Sequence, residues 1–202
     1  GRIWSHVHQK SILGYKCLTM MLSDGVSQLF LDFSLHGEEG KDKQKVQGLT
    51  AKQRKARYTE DHEGQAVKER VDEYLMKKTD KAIDMVKYAI KRGVRFDYLL
   101  VDSWFTSTKF VRLITSRHIK CHLLGMIKLG KTNYATKHGS MNAKQIIKHQ
   151  QKEKACKHNK TLRCTYCTMD VKLDGVTVRL FFCKRGRKGN WNGLLTTDLS
   201  LS

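Results

Sequence analysis

Tyr98-Leu-Leu-Val-Asp-Ser-Trp-Phe-Thr-Ser107 is the stretch on which the fold turns. Tyr98–Val101 is a short continuous apolar run that ends on Asp102, the pattern of a strand buried on both faces. Thr106–Thr108 offer hydroxyl caps for a helix carrying Phe110, Leu113 and Ile114. His122–Ile127 then reads as a second buried strand. Upstream, Ile83, Val86, Ile90 and Val94 recur at helical spacing, opened by Thr79-Asp80 and closed by Lys91-Arg92-Gly93. Cations near the negative end of the dipole, followed by a glycine that accepts the left-handed conformation, stop a helix. Helix, strand, helix and strand in succession predict a crossover unit with parallel strands, and hence an α/β protein.

Further out, Tyr15–Leu22 and Ser27–His36 flank Ser23-Asp24-Gly25, and Asp-Gly between alternating runs signals a hairpin. Its second arm sets Leu29, Leu31, Phe33 and Leu35 on one face, predicted to be the buried one. Residues 37–64 read as a polar, basic surface excursion with some helix around 50–57. Val67, Val71, Tyr74 and Leu75 mark another helical face. After Lys128 the pattern becomes basic and irregular, with a short helix near 142–150. A second hairpin follows, Leu162–Leu173 and Val176–Lys184 about Asp174-Gly175, and Leu194–Leu199 return toward the core. The organisation expected is an α/β core over 1–127, a basic β-rich insertion over 128–193 and a return strand over 194–202.

The chain has 202 residues, 39 Lys+Arg and 19 Asp+Glu, a net charge of +20. Such an excess points to a polyanion, because Lys and Arg release the counterions condensed on phosphates. Residues 41–57 and 128–163 hold seven and ten Lys/Arg against one acid each, and residues 184–188 read Lys-Arg-Gly-Arg-Lys. No basic stripe lies opposite a large apolar face, so nucleic acid is favoured over a membrane surface. The longest apolar runs fall far short of the ~20 residues of a spanning helix. Residues 1–25 show no secretory pattern. Six irregularly spaced cysteines suggest a reducing compartment. Both ends read as cut from a longer chain.

Asp102 is the acid of most interest, because open α/β sheets hold ligands at the carboxyl ends of their strands. The alternative role for it is to cap the following turn. Cys156, His158, Cys164 and Cys167 invite a zinc reading. Against that, Cys164 and Cys167 lie three apart in an alternating strand and so face opposite ways. Cys167 fits with Met169, Val171 and Leu173 as a core thiol. His6, His8 and His36 receive no role. Phosphate-binding glycine loops and nucleophile elbows are absent. Trp191, in the basic loop 184–193, suits either stacking on an exposed base or packing under the hairpin. Trp104 reads as packing beside Asp102.

The segment 98–107 resembles the second-aspartate segment of bacterial insertion-sequence transposases of the DDE type, the IS-four group. His8-Gln-Lys-Ser-Ile-Leu-Gly14, Leu31-Asp-Phe-Ser-Leu-His-Gly37, Leu124-Gly-Met-Ile-Lys-Leu-Gly-Lys131 and Leu194-Leu-Thr-Thr-Asp198 resemble the same group in the same order, over nearly the whole chain. The resemblance implies an RNase H-like mixed sheet with flanking helices plus a β-rich insertion. It implies an enzyme of cut-and-paste transposition, a DNA nuclease and strand transferase. Two Mg2+ (or Mn2+) ions held by Asp, Asp and Glu would activate water or a 3′-hydroxyl. Asp102 matches the second Asp, as catalytic residue and metal ligand.

The resemblance places the first Asp on a strand before this sequence and the Glu on a helix after it. The chain is therefore expected to be a fragment that lacks the first core strand and the final catalytic helix. It is expected to be inactive alone and metastable or aggregation-prone, because the absent strand would join the hairpin at 15–36 to the strand at 97–102. The expected partner is double-stranded DNA, transposon ends and target, with no membrane. The full-length protein would be a homodimer on DNA and cytoplasmic, at the bacterial nucleoid. The expected DNA contacts are Lys128, Lys131, Arg185, Arg187, Lys188 and Trp191. The alternatives are a non-catalytic, basic nucleic-acid-binding remnant of a transposase and a zinc-dependent binding module.

Overall fold

The computed structural model describes residues 2–38, 72–74, 76–116, 119–186 and 188–201. Most of the 37–64 excursion, including any helix at 50–57, lies outside them, as do Val67, Val71 and Leu75. The chain is α/β, with a mixed multi-strand sheet and few helices among the described residues. It divides into two compact units, Gly1–Val94 and Arg95–Ser202.

In the first unit, β1 (Arg2–Ser5) and β2 (Lys10–Leu13) pair antiparallel. The predicted hairpin forms from β3 (Lys16–Ser23) and β4 (Gln28–His36). At its tip the Asp24 carboxylate accepts the Val26 and Ser27 N–H groups at 2.9 and 2.6 Å, and Gly25 takes the left-handed φ of +91°. Helix α1 (Lys78–Lys91) packs on the hairpin. Its N-cap position is Lys77, without a side-chain cap, rather than Thr79 or Asp80; Asp80 lies in the first turn, where its charge complements the dipole. The stop is as read: Gly93, at φ +85°, donates to the Ile90 carbonyl at 2.9 Å, and Val94 to that of Ala89 at 3.1 Å.

The buried face of β4 is not the predicted one. Met20 pairs with Asp32 and Met21 with Phe30, so Leu31 is an extra residue in the ladder. Beyond this bulge Ser34 and His36 turn inward, while Phe33 and Leu35 are exposed together with Phe30, at 68%. Residues beside α1 make the polar side tolerable. The Glu73 carboxylate accepts from Ser34 Oγ at 3.4 Å, and His36 Nδ1 lies 3.2 Å from the Met76 carbonyl. Burial holds the His36 imidazole below its ordinary pKa of 6.5, reinforced by the charge of Lys78.

The second unit is built on one sheet. Its parts are β5 (Tyr98–Val101), α2 (Thr108–Ile114), β6 (His122–Ile127), β7 (Asn133–Thr136), β8 (Gly139–Asn142), α3 (Ala143–Lys152), β9 (Lys157–Asn159), β10 (Cys164–Leu173), β11 (Val176–Arg185) and β12 (Trp191–Thr196). The strand order is β5-β6-β12-β11-β10-β7-β8, with β9 also on β10. β5 and β6 are parallel about α2, as expected, and every other pair is antiparallel. The strands of 128–193 thus share a sheet with 98–101 and 122–127. The β10–β11 turn is the predicted one. Asp174 and Gly175 both have positive φ, +52° and +83°, the mirror-image turn that matches strand twist. Helix α3 opens on a capping box in which Asn142 and Gln145 each bond the other's backbone N–H.

One face of this sheet is the core, where Leu123, Val178, Leu180, Phe182 and Leu195 pack with Phe110, Val111, Ile114 and Ile146 of the helices. The opposite face is open at the β5 end. Leu100 is 69% exposed, and Tyr98 and Met126 are exposed beside it. β5 is therefore covered on one side, not on both as its unbroken apolar run suggests. Two facts account for this. β5 is the last strand of the sheet, and both described helices of the unit, α2 and α3, contribute to the other face. Among the described residues no helix is long and apolar enough to cross a membrane.

Candidate nucleic-acid interface

Strand direction gathers distant parts of the chain at one end of the second unit's sheet. β5 and β6 run toward that end, and β11 also finishes there. β12 and β10 start there, with Trp191 opposite Lys184 and Cys164 opposite Arg185. The segments 102–107, 128–132, 160–163, 184–186 and 188–191 therefore form a row. At ~4.8 Å per strand, the four steps from β5 to β10 span about 19 Å.

Asp102 stands at one end of the row, exposed, in the first residue after β5. Its Oδ1 accepts the Trp104 N–H at 2.7 Å. Its carbonyl accepts from Phe105 N and Thr106 N, each at 3.1 Å, and from Thr106 Oγ1 at 3.0 Å. The turn-capping role of Asp102 is thus realised through one carboxylate oxygen. Gly125 of β6 lies directly beneath, where a Cβ would overlap the Thr106 hydroxyl. A glycine is what lets the turn sit so close to the sheet. The helix expected to follow has Ser107 at its N-cap position and no side-chain cap, the Ser107 hydroxyl being buried without a hydrogen-bond partner.

Trp104 does not pack beside the site as expected; it is 67% exposed. The ammonium of Lys128, the first residue after β6, sits 4.0 Å from the centre of its ring. Sequence reasoning missed this pair because 24 residues separate its members, and only the parallel register of β5 and β6 makes them neighbours. Lys131 is exposed in the loop leaving β6.

The other end of the row is basic. Lys184 Nζ lies 5.8 Å from the centre of the Trp191 ring, which is half-buried. The indole is thus neither stripped bare nor packed away. Arg185 and Lys188 are exposed, and the Gly186 N–H donates to the Arg163 carbonyl at 3.3 Å, which ties the 184–188 turn to the chain before β10. Arg187 lies outside the described residues.

Asp198, within a segment that drew attention only by resemblance, lies at the opposite end of the sheet. The Ser200 hydroxyl at 2.6 Å, the Tyr98 hydroxyl at 2.5 Å and the Ser200 N–H at 2.9 Å all donate to it. These bonds hold its carboxyl down to about 2. Tyr98 and Asp102 are separated by the length of β5, about 13 Å, so Asp198 fastens the end of β12 and does not join Asp102.

Of the four zinc-pattern residues, Cys156 and Cys167 meet, and the set as a whole does not converge. Cys164 and Cys167 point to opposite faces of β10, and His158 Nδ1 lies 3.4 Å from Thr165 Oγ1. Cys167 is a core thiol as read; burial, then a hydrogen bond with Cys156, pushes it up to about 12. Among the described residues no three His, Cys, Asp or Glu side chains form a group able to hold a metal ion. Compared with protein-family models, curated proteins and solved structures, the chain matches none.

Proposed function

We propose that this chain is a DNA-binding part of an RNase H-like transposase catalytic domain of the DDE type. The observation that carries the proposal is the row itself: one exposed carboxylate, Asp102, at the mouth of a parallel strand pair, continued by Lys128, Lys184, Arg185 and Lys188 along the same end of the sheet. A row of about 19 Å covers about five to six base-pair steps along a duplex axis, at ~3.4 Å each. A net charge of +20 adds long-range attraction for such a polyanion. The parallel β5–β6 pair with an intervening helix supports the RNase H-like assignment. So does the outer edge of β5, which carries no partner strand among the described residues.

A pair of divalent ions does not fit the described residues taken alone. They bring one carboxylate to the row and no group of three ligands, whereas two-metal chemistry requires several acids around ions ~3.5–4 Å apart. In this reading Asp102 is one ligand of a site whose other carboxylates lie outside the described residues. The activity assigned to the described surface is DNA binding.

Duplex binding measured against salt tests the reading. Log affinity should fall linearly with log salt, and Lys128→Ala, Arg185→Ala or Lys188→Ala should each lower the slope by roughly one without changing sequence preference. Asp102→Ala should leave binding intact. Absence of duplex binding at 50 mM salt, or binding indifferent to salt, refutes the proposal.

A further inference from the structure

A ring that is two-thirds exposed, next to the one carboxylate of the row, is an unusual use of tryptophan. Apolar area of this size is normally buried or held for a partner. Three observations fix its position. The Trp104 backbone N–H is bonded to Asp102 Oδ1 at 2.7 Å, so the main chain that carries the ring is tied to the carboxylate. Three bonds from Phe105 and Thr106 to the Asp102 carbonyl hold the turn that bears it. Lys128 occupies the region over one ring face at 4.0 Å. A cation on one face of an indole leaves the other for a flat partner, and keeps an ammonium within reach of that partner's phosphate.

We infer that Trp104, capped by Lys128, is a stacking platform for an unpaired DNA base beside Asp102. The inference rests on the DNA-binding reading above and deepens it. It assigns the β5 end of the row to single-stranded DNA, while the lysines and arginines of 184–188 serve phosphates in any polyanion. A base inside a duplex already has neighbours on both faces, so only an unpaired or extruded base can lie on the indole. Stacking is indifferent to base identity, because every base presents a π face. The platform therefore selects strand state rather than sequence. Trp191 lacks this geometry: it is half-buried, and its lysine lies farther out, at 5.8 Å.

The test uses the 202-residue chain with three probes: a labelled 15-mer of oligothymidine, a duplex of equal length, and inorganic polyphosphate as a polyanion without bases. Trp104→Ala should weaken binding of the single strand about tenfold or more, as loss of a base–aromatic stack does. It should leave its salt slope unchanged and leave duplex and polyphosphate affinities within twofold. Trp104→Phe should restore most of the loss. Lys128→Ala should weaken all three probes and lower their salt slopes. Circular dichroism of the variants serves as the control for folding. An equal loss on all three probes from Trp104→Ala, or none on the single strand, overturns the platform while normal duplex binding leaves the DNA-binding reading standing. Failure of the unaltered chain to bind any probe overturns both.

Discussion

Gly125→Ala tests whether the turn bearing Asp102 and Trp104 depends on the bare backbone beneath it. A Cβ at this position would overlap Thr106 Oγ1, lie 2.8 Å from Val101 Cγ2 and 3.2 Å from Thr106 Cβ. Val101 is on the neighbouring strand and Thr106 is bonded to the Asp102 carbonyl at 3.0 Å, so neither is a loose chain end that can swing away. Overpacking of this kind costs about 1–3 kcal/mol. Gly130→Ala is the matched control, because its Cβ would meet nothing nearer than Lys144 Cε at 3.8 Å; its effect should stay within ~0.5 kcal/mol. Urea unfolding at low protein concentration, followed by tryptophan fluorescence, reads both, with a shifted midpoint at unchanged slope. Thr106→Ala should recover part of the Gly125→Ala loss, giving a coupling of at least ~0.5 kcal/mol, since it removes the overlapped hydroxyl but not Val101. Equal midpoints for the two glycine variants, or strict additivity in the double mutant, would refute the close-approach argument.

Two further predictions follow from titratable groups. His36 has a folded pKa below its ordinary 6.5, so the unfolded chain takes up the proton first as pH falls. Its contribution to the stability of the first unit is complete above 6.5 and is lost as pH drops from 6.5 toward the folded value. Circular-dichroism melts should therefore weaken from pH 7.5 to 5.5, with the decline smaller in His36→Gln; an unchanged decline removes His36 as its source. Cys167, pushed up to about 12, carries almost no thiolate at pH 8. A thiol-specific disulfide reagent should modify exposed Cys17 readily and leave Cys167 until urea is added; peptide mapping that finds Cys167 among the first labelled would contradict its place in the core.

What was legible in the sequence was local. Asp24-Gly25 and Asp174-Gly175 mark turns because their conformations exclude most other residues, and both hairpins form where those pairs stand. Gly93 ends its helix for the same reason. The alternation around Cys167, Val171 and Leu173 fixes a buried face, because β10 is a central strand covered on that side. Alternation failed in β4, where one inserted residue at Leu31 inverts the meaning of every later position. A bulge leaves no mark in a run such as Phe30-Leu-Asp-Phe33, where each residue but Asp32 is apolar.

The candidate site was half legible, and the missing half explains the misreading of Trp104. Asp102 stands out because a strand ends on it, a property of the five consecutive residues Tyr98–Asp102. Its companions come from Lys128, 26 positions on, and from the 184–191 turn, more than 80 positions on. Only the order β5-β6-β12-β11-β10 and its alternating directions bring them to one end. From sequence, an aromatic two residues after a strand is more economically buried than exposed. In the structure the ring is exposed, with Lys128 over it and Thr106 held close above Gly125. The platform is thus a product of sheet register: shifting β6 by one residue against β5 would move Lys128 off Trp104 and put a side chain where Gly125 leaves space. Register, rather than any single residue type, couples the carboxylate to the ring.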